Sequence, residues 1–263
     1  MFTIYKHEMK TNLKSLLIWC LSVRGMGFIC ILLFSSVKES MVGMAESFAS
    51  MGAFSNAFGM SQLSIATLPG FYATEVGTIH SLGGAMFAAI ISATMLSKEE
   101  DGHTSEFLFS LPISRYKVIC AKLGSIFTNI ILFNMLAVGI YLFGIFILRE
   151  EMPMKEFFLY HGMQIVMQLE IGTICFCFSA FMRKNKLGIS LGIVLILYVY
   201  DLMARVVPDL SSYKVLSPFS YGNAADILST GELSLTGILI GIILLVASVC
   251  VAYVVYGKRD LAS

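Results

Sequence analysis

Six predominantly apolar stretches recur along this 263-residue chain, each long enough to cross a bilayer as a helix. A hydrocarbon core about 30 Å thick needs roughly 20 consecutive apolar residues at the helical rise. Backbone amides find no water at that depth, so such stretches must satisfy their own hydrogen bonds as helices. The expectation is an all-α polytopic membrane protein with six transmembrane helices, at 15–37, 76–97, 123–148, 157–182, 187–207 and 235–256. The second is the least regular, because Gly77, Gly83 and Gly84 stand in its first half. Glycine in a membrane helix lets a neighbour approach closely. Only 13% of the residues are charged, against about 25% in a soluble domain whose surface must be wetted. A soluble fold is thereby excluded.

Basic residues orient the spans. Lys6, Lys10 and Lys14 precede the first; Lys98, Arg115, Lys117 and Lys122 lie between the second and third. Arg183, Lys184 and Lys186 lie between the fourth and fifth, and Lys258 and Arg259 follow the sixth. Twelve of the eighteen Lys and Arg thus fall on one side. Positive residues remain cytoplasmic, which places both termini inside, as an even number of spans also requires. The net charge of +1 offers no field for nucleic acid. The six cysteines all lie in or beside apolar stretches, where they behave as small hydrophobes. Neither a disulfide framework nor a zinc site is expected.

The opening segment has basic residues ahead of an apolar run, as a signal peptide does. The run 15–37 is too long for an h-region and no clean small-residue cleavage site follows, so a retained first helix is expected. Within 1–14, Phe2, Tyr5, Met9 and Leu13 recur every three or four residues, continuing to Leu16, and Lys6, Lys10 and Lys14 recur on another face. A helix so patterned lies in the interface, apolar side in the acyl chains and lysines at anionic lipid headgroups; the alternative is a solvated extension of the first span. Residues 1–14 then form an amphipathic helix and 15–263 one six-helix transmembrane domain. Two loops on the other side are long. Residues 38–75 suit short interfacial helices, and the apolar middle of 208–234 is too short to span and could dip back into the membrane where protein shields its backbone.

The most informative stretch is the first cytoplasmic loop, from Ser97 to Lys117. Gly102 is expected to interrupt the helical continuation of span two, and Thr104 to cap a new short helix. Glu106 falls in its first turn, favourable to the helix dipole. Phe107, Leu108 and Leu111 supply an apolar ridge, and Pro112 ends the helix at or before Leu111. Ser114 can then cap a helix running through Arg115 into span three. A short apolar knob on such a loop suits a partner's groove; lying on the membrane face is the alternative.

At this point a family resemblance becomes specific. Glu99-Glu-Asp-Gly-His-Thr-Ser-Glu106, followed by Ser110-Leu-Pro-Ile-Ser-Arg115 and Lys122, resembles the acidic-Gly-Thr-x-Glu…Ser-x-Pro-x-Ser-Arg…Lys pattern of ABC-2 type permeases. Phe58-Gly-Met60 and Gly70-Phe-Tyr-Ala-Thr-Glu75 are similar to that family's first external loop. Leu216-Ser-Pro-Phe-Ser-Tyr221, with Ala224, Ala225 and Leu228, is similar to the stretch before its last helix, and Tyr256-Gly-Lys-Arg-Asp-Leu261 to its C-terminal end. The resemblance implies a non-catalytic membrane subunit of a bacterial ABC exporter that pairs with a second permease, an identical copy or a paralogue. Each permease would dock a separate cytoplasmic ATPase, which holds ATP and Mg; this chain would bind no cofactor itself. It also implies that Glu99, Glu100, Gly102, Thr104, Glu106, Phe107, Leu108, Leu111, Pro112, Ser114 and Arg115 form the coupling helix and its flanks. Residues 1–14 would be the elbow helix, and Ser217, Pro218, Phe219 and Tyr221 part of a re-entrant element at the external gate.

One residue, Arg24, departs from that pattern, where the family usually has an apolar one. Arg24 in span one costs about 2.5–3.5 kcal/mol to insert, so it must face protein or water. Glu170 on span four lies at comparable depth and is a candidate partner, with a substrate contact and snorkelling as the alternatives. Asp201 and Arg205, four apart, read as a helix-surface ion pair of small worth. Other chemistry is weakly supported. Gly257-Lys258 lacks the preceding glycine of a P-loop, because position 252 is Ala. Glu99-Glu100 lacks the following Arg of membrane prenyl-peptidases, and Glu100-x-x-His103 lacks the second half of a di-iron pair. His7, His80 and His161 are scattered and read as packed or interfacial. An ion-coupled carrier would want repeated halves and several midplane carboxylates, where Glu170 stands alone. A non-transporting sensor or scaffold beside an ATPase stays open. The 16 Met and 20 Phe suit an adaptable apolar cavity, hence an amphipathic or hydrophobic cargo such as a peptide, antimicrobial, drug or lipid.

Overall fold

The computed structural model describes residues 1–259 except Leu111, and gives the backbone alone for Glu106, Phe107 and Phe109. Most of the described residues are helical, and none of them lies in a strand. Six helices are long and apolar enough to span a membrane. They are α1 (Phe2–Ala49), α3 (Leu68–Ala93), α6 (Arg115–Leu148), α7 (Met154–Phe181), α8 (Leu187–Val206) and α11 (Leu235–Lys258). Short helices fill the connections: α2 (Ala53–Phe58), α4 (Lys98–Asp101), α5 (Ser105–Ser110), α9 (Pro218–Tyr221) and α10 (Ala224–Thr230). A 3₁₀ segment, Pro208–Leu216, follows α8.

The helix boundaries follow from local chemistry. Pro69 stands in the first turn of α3, and Thr67 Oγ1 accepts from the Gly70 amide, so the second span begins eight residues before the hydropathy suggests and ends at Ala93. Asn223 caps α10 through the Asp226 amide, and Ser234 caps α11 through the Gly237 amide. The N-terminal segment is continuous with the first span. With no Gly or Pro before Gly25, the helix from Phe2 runs on without a break into the first span and on to Ala49. Its first turns pack on α6 as well as facing outward. Tyr5 donates to Thr128 Oγ1 at 3.0 Å, and Met9 Sδ accepts from Asn129 Nδ2 at 3.2 Å, so two residues of the expected lipid-facing ridge meet protein.

Two π-helical turns interrupt the regular ladders, at Cys20–Arg24 in α1 and Tyr72–Val76 in α3. The extra residue in such a turn re-aims the side chains around it and recurs at functional sites. The first ends on Arg24; the second contains Glu75.

α7 is the central helix and packs against α3, α6, α10 and α11. The most apolar windows of α3 and α7 are each 61% buried, those of α8 and α11 only 22% and 11%. The first pair is therefore interior; the second leaves its apolar surface for lipid or another subunit. Two apolar clusters fill the bundle, one around Leu16, Phe87, Ile126 and Phe176, the other around Phe34, Tyr72, Tyr141 and Phe157. A polar layer lies where they meet.

Candidate functional site

The loop between α3 and α6 sits at the bundle end that carries the N-terminus and Arg259, here called the basic end. α3 stops at Ala93, a run of turns follows, and α4 carries Lys98, Glu99 and Glu100. The chain then reverses to enter α5. Gly102 was expected to make that break, yet its φ is an ordinary −87°, and the left-handed residue is His103 at φ 52°. The Lys98 carbonyl would lie 3.1 Å from a Cβ at Gly102, so the glycine serves close approach rather than handedness. Thr104 precedes α5, where its hydroxyl donates to Glu99 Oε2 at 2.7 Å. α5 ends at Ser110 ahead of Pro112, and Ser114 in extended conformation precedes α6. Leu108 is half-buried, while Pro112 and Ser114 are exposed. The side chains of Glu106 and Phe107, and all of Leu111, lie outside the described residues.

Beneath this loop is a cluster of charges that ties four spans together. Lys122 of α6 is fully buried; its Nζ donates to the Met95 carbonyl at 2.8 Å and lies 2.7 Å from Glu99 Oε1 and 3.2 Å from Glu8 Oε1. Glu8, on the first turns of α1, is 1% exposed and also pairs with Lys98. At the other edge Arg259, just past α11, holds both Glu100 oxygens at 2.9 and 3.0 Å. Its Nη1 donates to the Ala180 and Met182 carbonyls at 2.7 and 2.9 Å, where the end of α7 favours a cation. Arg115 in turn donates to the Arg259 carbonyl at 2.5 Å. Burial pushes the Glu99 carboxyl up, but the Lys122 charge and the hydrogen bonds from Lys122 and Thr104 outweigh it and hold the group below its ordinary value. Burial and then the neighbouring Lys122 lower Lys98, against the pull of Glu8. A burial that deep is tolerable only where each charge is paired and hydrogen-bonded.

The two intramembrane charges do not pair with each other. Arg24 is fully buried, its Nη1 2.6 Å from His80 Nδ1 and 3.5 Å from the Tyr141 hydroxyl, and its guanidinium lies 3.6 Å over the Phe133 ring. From His80 a hydrogen-bonded chain crosses the bundle. His80 Nε2 meets Asn134 Oδ1 at 3.1 Å, and Asn134 donates to Gln168 Oε1 at 2.7 Å. Gln168 donates to Gln164 Oε1 at 3.4 Å, and Gln164 donates to the Gly222 carbonyl at 2.7 Å. The chain therefore runs from α1 through α3, α6 and α7 to the turn between α9 and α10. Gly84 makes room for it: a Cβ there would stand 2.2 Å from Gln168 Nε2. The rings of His80 and His161 pack 4.8 Å apart, and Tyr72 bonds His161 Nε2 at 2.9 Å. Both histidines are thus packed groups, and no set of three His, Cys, Asp or Glu placed for a metal occurs among the described residues.

Glu170, 1% exposed, instead accepts from the Tyr221 hydroxyl of α9 at 2.5 Å. Ser217, Pro218, Phe219 and Tyr221 are all buried, packed against α7, α8 and α11. Ser217 Oγ donates to the Leu197 carbonyl at 3.0 Å, and Phe219 meets Tyr198 edge-on. Asp201 and Arg205 correct the surface reading: their side chains are 4% and 6% exposed, 2.9 Å apart, and Arg205 also holds Asp226 of α10 at 3.1 Å. Burial makes this triad a tie between α8 and the segment before α11, where an exposed pair would contribute little.

Residue patterns missed Glu8, Arg259 and most of the polar chain. The first two meet their partners only through tertiary packing. Gln164 and Gln168 carried a usable signal, since residues four apart on an apolar span share one face and membrane interiors seldom hold amides without partners.

No curated protein matches the chain. A protein-family model described as ABC-2 family transporter protein matches residues 2–261. A six-span helical bundle matched over nearly its whole length therefore belongs to the ABC-2 family of transporter proteins, as a membrane subunit of an ABC transporter.

Proposed function

We propose that this chain is the permease subunit of an ATP-driven exporter in a bacterial plasma membrane, with both termini cytoplasmic. Its ATPase is a separate chain that binds ATP and Mg, and a second permease completes the pore. The observation that carries this reading is the anchorage of the short loop helix α5. Its root in α4 is held by Glu8 of α1, Lys122 of α6 and Arg259 beyond α11, and Arg259 also grips the end of α7. A push on α5 would then move four spans as a body instead of being absorbed in a loose loop, which is what coupling ATP closure to a membrane gate requires. The Gln164 bond to Gly222 supports a gating role for the 217–221 segment, because it ties that segment to the polar chain. The many Met and Phe residues favour amphipathic or hydrophobic cargo, such as a peptide, antimicrobial, drug or lipid.

The test is to replace Phe107 and Leu111 with Asp and purify the tagged protein from its host in mild detergent. A stoichiometric ATPase should accompany the wild type and be lost from the variant, together with ATP-driven transport. Unchanged co-purification and transport would remove the coupling assignment.

A further inference from the structure

Away from the basic end, α1 continues to Ala49 and folds over a cavity of about 180 Å³. Its wall is almost wholly apolar and is built from three places: Met41 and Phe48 on the extension of α1, Phe54 on α2, and Met60 and Phe71 at the approach to and start of α3. One carboxylate reaches it, that of Glu75. Glu75 stands in the π-helical turn Tyr72–Val76 and is exposed on the surface of this chain. It has no ion-pair partner among the described residues. Lys38, the α1 cation on this side, is engaged by Glu150 at 2.6 Å.

The combination of rings with a single carboxylate has a defined chemistry. Phenylalanine faces attract a cation by their quadrupole, and aromatic cages are the usual recognition device for alkylated ammonium groups. Methionine adds a polarisable, adaptable wall. The size also fits, since a cavity of about 150 Å³ accepts a molecule as large as benzene. A neutral apolar ligand would gain nothing from Glu75, and an anionic one would be repelled by it.

We propose that this cavity binds an alkylated ammonium group, with Phe48, Phe54 and Phe71 as the cage and Glu75 as the counter-ion. The group belongs to a choline-type lipid headgroup or to a free organic amine. The proposal does not rest on the exporter reading, because it concerns equilibrium binding to this chain alone.

The full-length protein in nonionic maltoside micelles is titrated calorimetrically with choline and with its uncharged carbon isostere, 3,3-dimethylbutanol. Choline should bind, and the isostere should bind about tenfold more weakly or worse, the range expected of a desolvated cation–aromatic contact. Glu75→Gln and Phe54→Leu should each weaken choline by a similar factor. Doping the micelles with phosphatidylcholine decides the source: competition identifies a lipid headgroup, and an unchanged choline affinity identifies a free amine. Equal binding of choline and the isostere, or no binding of either, would overturn the proposal. Because that comparison uses the wild type, it decides the matter even if a variant fails to fold.

Discussion

Lys122 Nζ lies 3.2 Å from Glu8 Oε1, and both side chains are essentially withdrawn from solvent. The pair joins the first turns of α1 to α6, and Glu99 and the Met95 carbonyl complete the acceptors around the ammonium. Removing one partner from such a set leaves an uncompensated buried charge, which costs about 3–5 kcal/mol. Lys122→Met should therefore lower thermal stability strongly in detergent. The double variant Glu8→Gln/Lys122→Met should lose less than the sum of the two single changes, since the second no longer breaks an intact pair. Additive losses would show that the two groups are not coupled.

Glu99 gives the same cluster a pH signature. Its carboxyl is held below the ordinary value of 4.5 in the folded state, so the unfolded chain binds the proton more readily. The stabilisation is complete above that unfolded value and is lost as pH falls from about 4.5 through the lower folded value. Melting temperatures taken from pH 6 down to pH 3 should fall more steeply for the wild type than for Glu99→Gln. Parallel curves would mean that Glu99 gains nothing from Lys122.

How far the sequence reveals this architecture differs by level. Six spans were legible because bilayer thickness imposes a length and an apolarity that survive without any tertiary knowledge. Helix ends were less so: the start of α3 depends on Thr67 capping Gly70, inside a segment that hydropathy reads as loop. The α5 helix was legible from Pro112 and the residues before it, because helix stops are local. Partners were not. Arg24 was visible as an anomaly, yet its ligands His80, Tyr141 and Phe133 come from two other helices. Depth alone makes Glu170 one candidate partner for Arg24 beside a substrate contact and snorkelling, and rotation about the helix axis, which depth does not specify, gives that carboxylate to Tyr221. Asp201 and Arg205 are legible as a pair but not as a buried one, since nothing local announces that α2 packs on α8 or that Asp226 of α10 reaches Arg205.

Arg24 offers a test that separates charge from shape. Its guanidinium stacks on Phe133 while Nη1 serves His80, a planar arrangement that an ammonium cannot reproduce. Arg24→Lys should therefore destabilise the protein. Arg24→Met removes a buried cation that has no carboxylate partner among the described residues and keeps the volume, at the cost of the contacts to His80 Nδ1 and the Tyr141 hydroxyl, so it should lose less. Thermal melts of the two variants should fall at unequal distances below the wild type, with Met the higher. The reverse order would mean that the positive charge itself is needed to hold the bundle.

Tyr221 and Glu170 join the segment before α11 to the central helix, and Gly241 of α11 closes over them. A Cβ at position 241 would stand 2.6 Å from Glu170 Oε2 and 2.9 Å from the Tyr221 hydroxyl. Tyr221→Phe deletes the donor and leaves a buried carboxyl oxygen unserved, at a cost of about 1–3 kcal/mol. Glu170→Gln keeps an acceptor for the tyrosine and should cost less. Gly241→Ala leaves both partners chemically intact but forces them apart or pushes α11 outward, so it should resemble Tyr221→Phe in stability. Those three melts in one detergent rank the contact directly. If Gly241→Ala proved neutral while Tyr221→Phe was costly, α11 would have to be free to move away from the pair, and the closeness of this packing would not be what holds the segment in place.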